Sequence, residues 1–240
     1  MIKIYMIALV LGLSNCASIE KREIISSTKT QEQQQELSPW QALQKLKRGN
    51  ERFLTNTQRE RDLIAQVASS EKQFPFAVVL GCMDSRGSPE MIFDQGIGDI
   101  FTERLAGNVI NADVLGGMEF GTKLSGAKLI IVLGHSSCGA VKGACDNAKL
   151  GNLTHLLDKI KPAVNQLRKK DKNLSCENAQ NINQIATNNI KNVIKQIKKE
   201  SPVINSLIQA GEVGLVGAMH DLATGKVEFF EEKALLPGAP

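Results

Sequence analysis

Two short stretches constrain this chain more than any other: Cys82-Met83-Asp84-Ser85-Arg86 and Gly134-His135-Ser136-Ser137-Cys138-Gly139. Each follows an apolar run, 76–80 and 128–133, that reads as a buried strand, so Cys82 and His135 both fall just past strand C-termini. In an open parallel sheet those ends share one edge, which is where such folds place ligands. Two thiolates and one imidazole suit Zn²⁺, and three protein donors leave a fourth position for water. By itself Cys82 reads as a buried core cysteine. The acid and the arginine that follow it at alternate positions shift that reading, because a buried charge on a turn needs pairing.

The rest of the pattern predicts an α/β fold, a central mostly parallel β-sheet flanked by helices with a C-terminal strand hairpin. Ser38-Pro39 starts a helix carrying Trp40, Leu43, Leu46 and Phe53. Further helices are predicted over 59–68, from an Asp113 cap to about residue 125, over 139–148, over 153–170, over 178–200, and from Ser201-Pro202 towards Gly211. A strand is predicted over 99–104, and strands over 213–219 and 226–230 flank an Ala223-Thr224-Gly225 turn. The tail from residue 234 reads as loose. By itself Trp40 reads as covering its own core. On α-helical spacing, residues 178–200 present an isoleucine-rich face and a lysine face, the latter reading as solvated, with anionic lipid the minor alternative.

Composition matters at the N-terminus and for the cysteines. Residues 1–15 carry Lys3 and an apolar run followed by small or polar residues, the pattern of a signal peptide. Leu13-Ser14-Asn15-Cys16 resembles a bacterial lipoprotein cleavage box, which makes Cys16 a lipidation site. Residues 16–37 read as a polar linker and 38–240 as a single catalytic domain. The expected location is extracytoplasmic, in a periplasm, lipid-anchored or secreted, with membrane contact only through the lipid. Of five cysteines, Cys145 and Cys176 are left over; such a compartment permits a bridge between them, but burial is the favoured role for Cys145. A net charge of +4, with one Trp and one Tyr, gives no basis for nucleic-acid binding.

The paired motifs, together with Pro89-Glu90, Phe93-Asp94-Gln95, Gly98-Asp99 and the run 104–108 (Arg-Leu-Ala-Gly-Asn), resemble the β-class carbonic anhydrases across roughly residues 40–230. Gly87-Ser88 departs from the valine that many relatives place after the arginine. The resemblance implies one Zn²⁺ per subunit on Cys82, His135 and Cys138, and reversible hydration of carbon dioxide to bicarbonate and a proton through a zinc-bound hydroxide. It gives Asp84 and Arg86 catalytic roles: paired, Asp84 accepts the hydroxide's hydrogen bond; unpaired, it fills the fourth zinc position in a closed state. Gln73, reaching across a dimer, and Phe101, Ala106, Phe120 and Gly139 are the implied substrate-binding residues, in a homodimer or a tetramer of dimers, where the resemblance offers Trp40 the alternative role of an anchor on the partner subunit. Val79 stands where some relatives carry the tryptophan of a regulatory bicarbonate site, so no such regulation is expected. His220 stands where the family often has tyrosine; it and His155 lack metal-ligand neighbours and read as structural. Two thiolates weaken the ion's pull on water, so activity is expected to rise into mildly alkaline pH. Rival readings are a hydrolase of carbonyl sulfide or carbon disulfide on the same fold, and a non-catalytic zinc-binding lipoprotein.

Overall fold

The computed structural model describes residues 23–69, 71–232 and 235–239. The predicted signal peptide, Cys16 and the first part of the predicted linker lie outside them.

A five-stranded sheet forms the centre. Its strands are β1 (Ala77–Gly81), β2 (Ile100–Arg104), β3 (Leu129–His135), β4 (Gly214–His220) and β5 (Val227–Phe230), in the order β2-β1-β3-β4-β5. The first four run parallel and β5 returns antiparallel to β4. Every residue of β1 and β3 is buried, so these strands are continuous apolar runs rather than alternating ones, as expected of parallel strands covered on both faces.

Alternate residues still part company. Val78, Leu80, Ile130 and Val132 face one cluster and Ala77, Val79, Leu129 and Ile131 the other, following the two-residue period of a strand. Ten helices flank the sheet among the described residues: α1 (Gln31–Gln35), α2 (Pro39–Leu54), α3 (Leu63–Ala68), α4 (Pro89–Ile92), α5 (Ala112–Glu119), α6 (Gly139–Cys145), α7 (Gly151–Asp158), α8 (Lys161–Arg168), α9 (Ala179–Glu200) and α10 (Pro202–Gln209). The first cluster takes Met118 of α5, Ile190, Val193 and Ile197 of α9 and Ile204 of α10. The second takes Ala42, Leu43 and Leu46 of α2. Each buried Leu, Ile, Val or Met side chain among them contributes about 1.5–3 kcal/mol.

α2 starts as its sequence asks. Ser38 caps the Gln41 N–H, the Gln41 side chain answers the Ser38 N–H, and Pro39 occupies the first turn where its missing donor costs nothing. Further along, Gly49 lies so close to the 92–95 segment that a Cβ would come within 1.7 Å of the Phe93 carbonyl oxygen. Asn50 then donates to the carbonyls of Ile92 (3.2 Å) and Gly225 (3.0 Å) and accepts from the Val227 N–H (2.9 Å). Trp40 packs against the core of its own chain.

Several expectations need correction. The predicted polar linker contains α1, capped by Thr30, and Gln34 is buried with Nε2 donating to the carbonyls of Pro75 (2.6 Å) and Ser125 (2.7 Å). A glutamine looks disposable in a linker, yet it satisfies two acceptors that would otherwise be buried unpaired. The helix predicted over 59–68 begins only after Asp62, whose side chain caps it. Asn111, not Asp113, caps α5, and the helix predicted onward to residue 125 loosens into a π turn at Phe120–Leu124, where Thr122 Oγ1 bonds back to the Met118 carbonyl at 2.7 Å. The helix predicted over 153–170 is two, α7 and α8, broken just before Pro162, which has no N–H to continue the ladder. Cys145 is buried but not free: it is bridged to Cys176. Leu235 and Leu236 are buried in the core rather than loose.

Candidate metal centre

Because β1 and β3 are hydrogen-bonded neighbours, the turns that leave their C-terminal ends lie side by side. Cys82 follows β1 directly, His135 ends β3, and Cys138 sits at the start of α6. Ser137, with a left-handed φ of 53°, turns the chain between the two, and its N–H is taken by Asn183 Oδ1 at 2.9 Å. The result is that one ligand atom each from Cys82, His135 and Cys138 lie within 4.8 Å of one another, and all three residues are buried.

The imidazole is oriented for an ion. His135 Nδ1 is 2.9 Å from the Ser136 carbonyl oxygen, which accepts its proton, and Nε2 is buried with no hydrogen-bond partner. A lone pair buried beside two sulfurs is the arrangement a metal ligand needs, its tautomer fixed by the bond behind it. Cys82 Sγ accepts from the Gly107 N–H at 3.3 Å. Gly107 has a φ of 70° and no room for a Cβ, which would meet Ile160 Cδ1 at 2.5 Å, so this close approach needs glycine.

The sulfurs share charge. The hydrogen bond with Cys138 pulls the Cys82 thiol down to about 4, against burial and with help from His135 and the Gly107 N–H. The same bond, then burial and the Cys82 charge, push Cys138 up, although the N–H groups of Val141 and Ala140 pull the other way. The pair thus behaves as one proton between two sulfurs, the proton a divalent cation displaces. Burial depresses the His135 ring, but the adjacent Cys82 sulfur and its charge outweigh it and its pKa is raised. The donor set therefore fits Zn²⁺.

Asp84 is not part of that cluster. Arg86 holds it through Nε to Oδ1 (2.9 Å) and Nη2 to Oδ2 (2.7 Å), and the Arg86 N–H adds a bond to Oδ1 (3.0 Å). The arginine's hydrogen bond keeps the Asp84 carboxyl well below the usual range despite burial. Arg104 ties the same loop to β2, donating to the carbonyls of Cys82 (3.0 Å) and Asp84 (2.5 Å); in the sequence it was only one letter of a motif.

A cavity of about 10 Å³ lies here, lined by Cys82, Asp84, Gly87, Leu133, Gly134, His135 and His220. It has room for about one water. His220 is a correction: it stands opposite His135 in the β3–β4 register and forms a wall of the cavity, buried with neither ring nitrogen partnered. Burial and then the His135 charge depress its pKa. His155 is exposed on α7.

None of the five residues expected to hold substrate lines that cavity. Ala106 and Gly139 are chain neighbours of Gly107 and Cys138. Phe101 and Phe120 pack edge to face at 6.1 Å, and Phe120 is 48% exposed. Gln73 is exposed and shares a separate cleft with Phe120, bordered by Val67, Phe74, Ile97 and Leu124.

The profile of a family described as carbonic anhydrase matches residues 77–227. A carbonic anhydrase of Mycolicibacterium smegmatis is 33% identical over 80% of this chain and 93% of its own length. Carbonic anhydrase 2 of Mycobacterium tuberculosis is 33% identical over 79% of this chain and 91% of its own. The solved structure of the β-carbonic anhydrase CcaA is similar with a TM-score of 0.64 and 27% identity, covering 79% of this chain and 95% of that one.

Proposed function

The chain belongs to the β-class carbonic anhydrases, and from that premise we propose that it hydrates carbon dioxide reversibly to bicarbonate and a proton, with one Zn²⁺ held by Cys82, His135 and Cys138. The observation that carries this reading is the unpartnered, buried His135 Nε2 facing two sulfurs beside a cavity of one water's size.

When bound, zinc supplies the Lewis acid that makes hydroxide available near neutral pH. The protein's own groups do the rest. Asp84, ionised throughout the working range, accepts a hydrogen bond from the attacking oxygen and aims its lone pair at carbon. Arg86 holds Asp84 in that role and out of the ligand set. Leu133 and His220 limit the space to small molecules.

Gln73 and Phe120 reach a substrate only from a second copy of the chain, so the active assembly is a homodimer or a multiple of it. Their exposure, beside exposed Ile64, Val67 and Leu124, supports this. An extracytoplasmic location with a lipid on Cys16 is the companion proposal; the Cys145–Cys176 bridge supports an oxidising compartment. A Cys16→Ser protein that still fractionates with membranes would reject the anchor.

The decisive experiment measures zinc content and carbon dioxide hydration on the purified mature chain, before and after chelation and zinc return. Stoichiometric zinc with restorable hydration supports the assignment. A zinc-replete protein that hydrates no faster than buffer rejects it.

A further inference from the structure

On the face of the molecule carrying α1 and α2 lies a cleft of about 530 Å³ that shares no lining residue with the metal cavity. Ligand pockets of small molecules run from about 300 to 1,000 Å³. Six cations line it: Lys29, Lys45, Arg48, Arg52, Arg59 and Arg61. Against them stand three carboxylates, Glu36, Asp94 and Asp99.

Two of those carboxylates are already committed. Asp94 Oδ2 is bonded by Arg52 Nε at 2.5 Å and by the Arg59 N–H at 3.3 Å, and Oδ1 by Arg61 Nη1 at 2.5 Å. Asp99 pairs with Lys29 and accepts the Gly96 N–H at 2.7 Å. Glu36 is exposed and, among the described residues, forms no ion pair. Lys45, Arg48 and Arg59 have no carboxylate partner there either; Lys45 only rests over the Phe76 ring at 5.9 Å. Arg61 Nε is buried without a hydrogen-bond acceptor.

This is not an ordinary solvated face. On α9, Lys191, Lys195 and Lys199 stand exposed, whereas Lys29, Lys45, Arg52 and Arg61 are half-buried around a concavity. Burial, then the charges of Lys45, Arg59 and Arg61, bring Lys29 down to about 7. Burial, then Arg59, Arg48 and Arg52, depress Lys45 as well.

We propose that this cleft binds a small polyvalent oxyanion, of which inorganic phosphate is the simplest, between the unpaired Lys45, Arg48 and Arg59. Guanidinium groups match the oxygens of such an anion in pairs, and an ammonium adds a point charge. A monovalent ion would leave part of the excess charge uncompensated.

The test is calorimetric titration of the zinc-loaded full chain with inorganic phosphate, at ionic strength matched with chloride, repeated on Arg48→Gln/Arg59→Gln and on Lys191→Gln/Lys195→Gln. Arg48 and Arg59 are exposed and make no ion pair, so their loss leaves the fold's melting temperature in phosphate-free buffer unchanged; Arg48→Gln alone serves as a milder variant. Saturable binding that weakens at least about tenfold in the cleft variant, and not in the α9 variant, supports the site. Absence of saturable binding, or equal affinity in all proteins, overturns it. So does binding to phosphatidylglycerol vesicles without any response to phosphate, which would assign the charge to a lipid surface.

Discussion

Arg86 grips both carboxylate oxygens of Asp84, while Asp84 Oδ2 remains 3.9 Å from His135 Nε2. The carboxylate is thus near enough to act on whatever a metal bound by Cys82, His135 and Cys138 would hold in its fourth position, and is restrained from occupying that position itself. Arg86→Ala removes the restraint. Turnover is expected to fall on the order of 10²-fold, the cost of a misplaced reacting group, with zinc content unchanged. Undiminished turnover with full zinc would end the argument. Arg86→Lys is expected to rescue little, since a single ammonium cannot hold both oxygens.

The Asp94 carboxylate anchors Arg52 and Arg61 while its own side chain is almost wholly buried. Burial is the largest influence and raises its pKa, but the hydrogen bonds of Arg61 and Arg52 outweigh it, and the net value lies below the ordinary 3.8. A depressed carboxyl contributes stability above the unfolded pKa and loses it as pH falls through the folded one. Asp94→Asn is expected to destabilise by about 3 kcal/mol at neutral pH, measured by urea unfolding, with the gap to the parent closing in acid below pH 3.8. A gap independent of pH would contradict it.

The Cys145–Cys176 bridge spans 31 positions. Closing a loop of that size restricts the unfolded chain by about 3–4 kcal/mol. Cys145→Ser/Cys176→Ser is expected to lose close to that amount in denaturant unfolding, with zinc binding retained. Stability equal to the parent in an oxidising buffer would refute it.

Gly49 sits inside α2, where alanine ordinarily gains about 1 kcal/mol. Here an added methyl would meet the Phe93 carbonyl oxygen at 1.7 Å. Gly49→Ala is therefore expected to destabilise by about 1–3 kcal/mol, an overpacking cost, and to lower the thermal midpoint. A rise in the midpoint would show that α2 can shift away from the 92–95 segment.

How much of this was legible depended on whether the cause was local. β1 and β3 were readable because both faces of each are covered, which leaves an unbroken apolar run; Cys82, His135 and Cys138 were readable because their donor chemistry sits at the ends of those runs. The break before Pro162 is also local, since the proline itself marks it, although the helix predicted over 153–170 runs through it. His220 was not readable as a cavity wall, since it meets His135 only through the β3–β4 register. Gln34 escaped because polarity suggests solvent, whereas its partners are carbonyls from two distant turns. Gln73 and Phe120 lie in a cleft apart from Cys82, His135 and Cys138 in one chain; the resemblance implied a reach across a dimer for Gln73 and gave no such signal for Phe120.

The Gln34 amide also places part of the predicted linker in the body of the enzyme. A chain trimmed to start at Ser38 would strand the Pro75 and Ser125 oxygens, and the Ile25 backbone, bonded to Glu60 and Asp62, would go with it. A shortened chain meant to keep this fold must therefore retain the segment from Ile25 onward, although its polar composition reads as spacer.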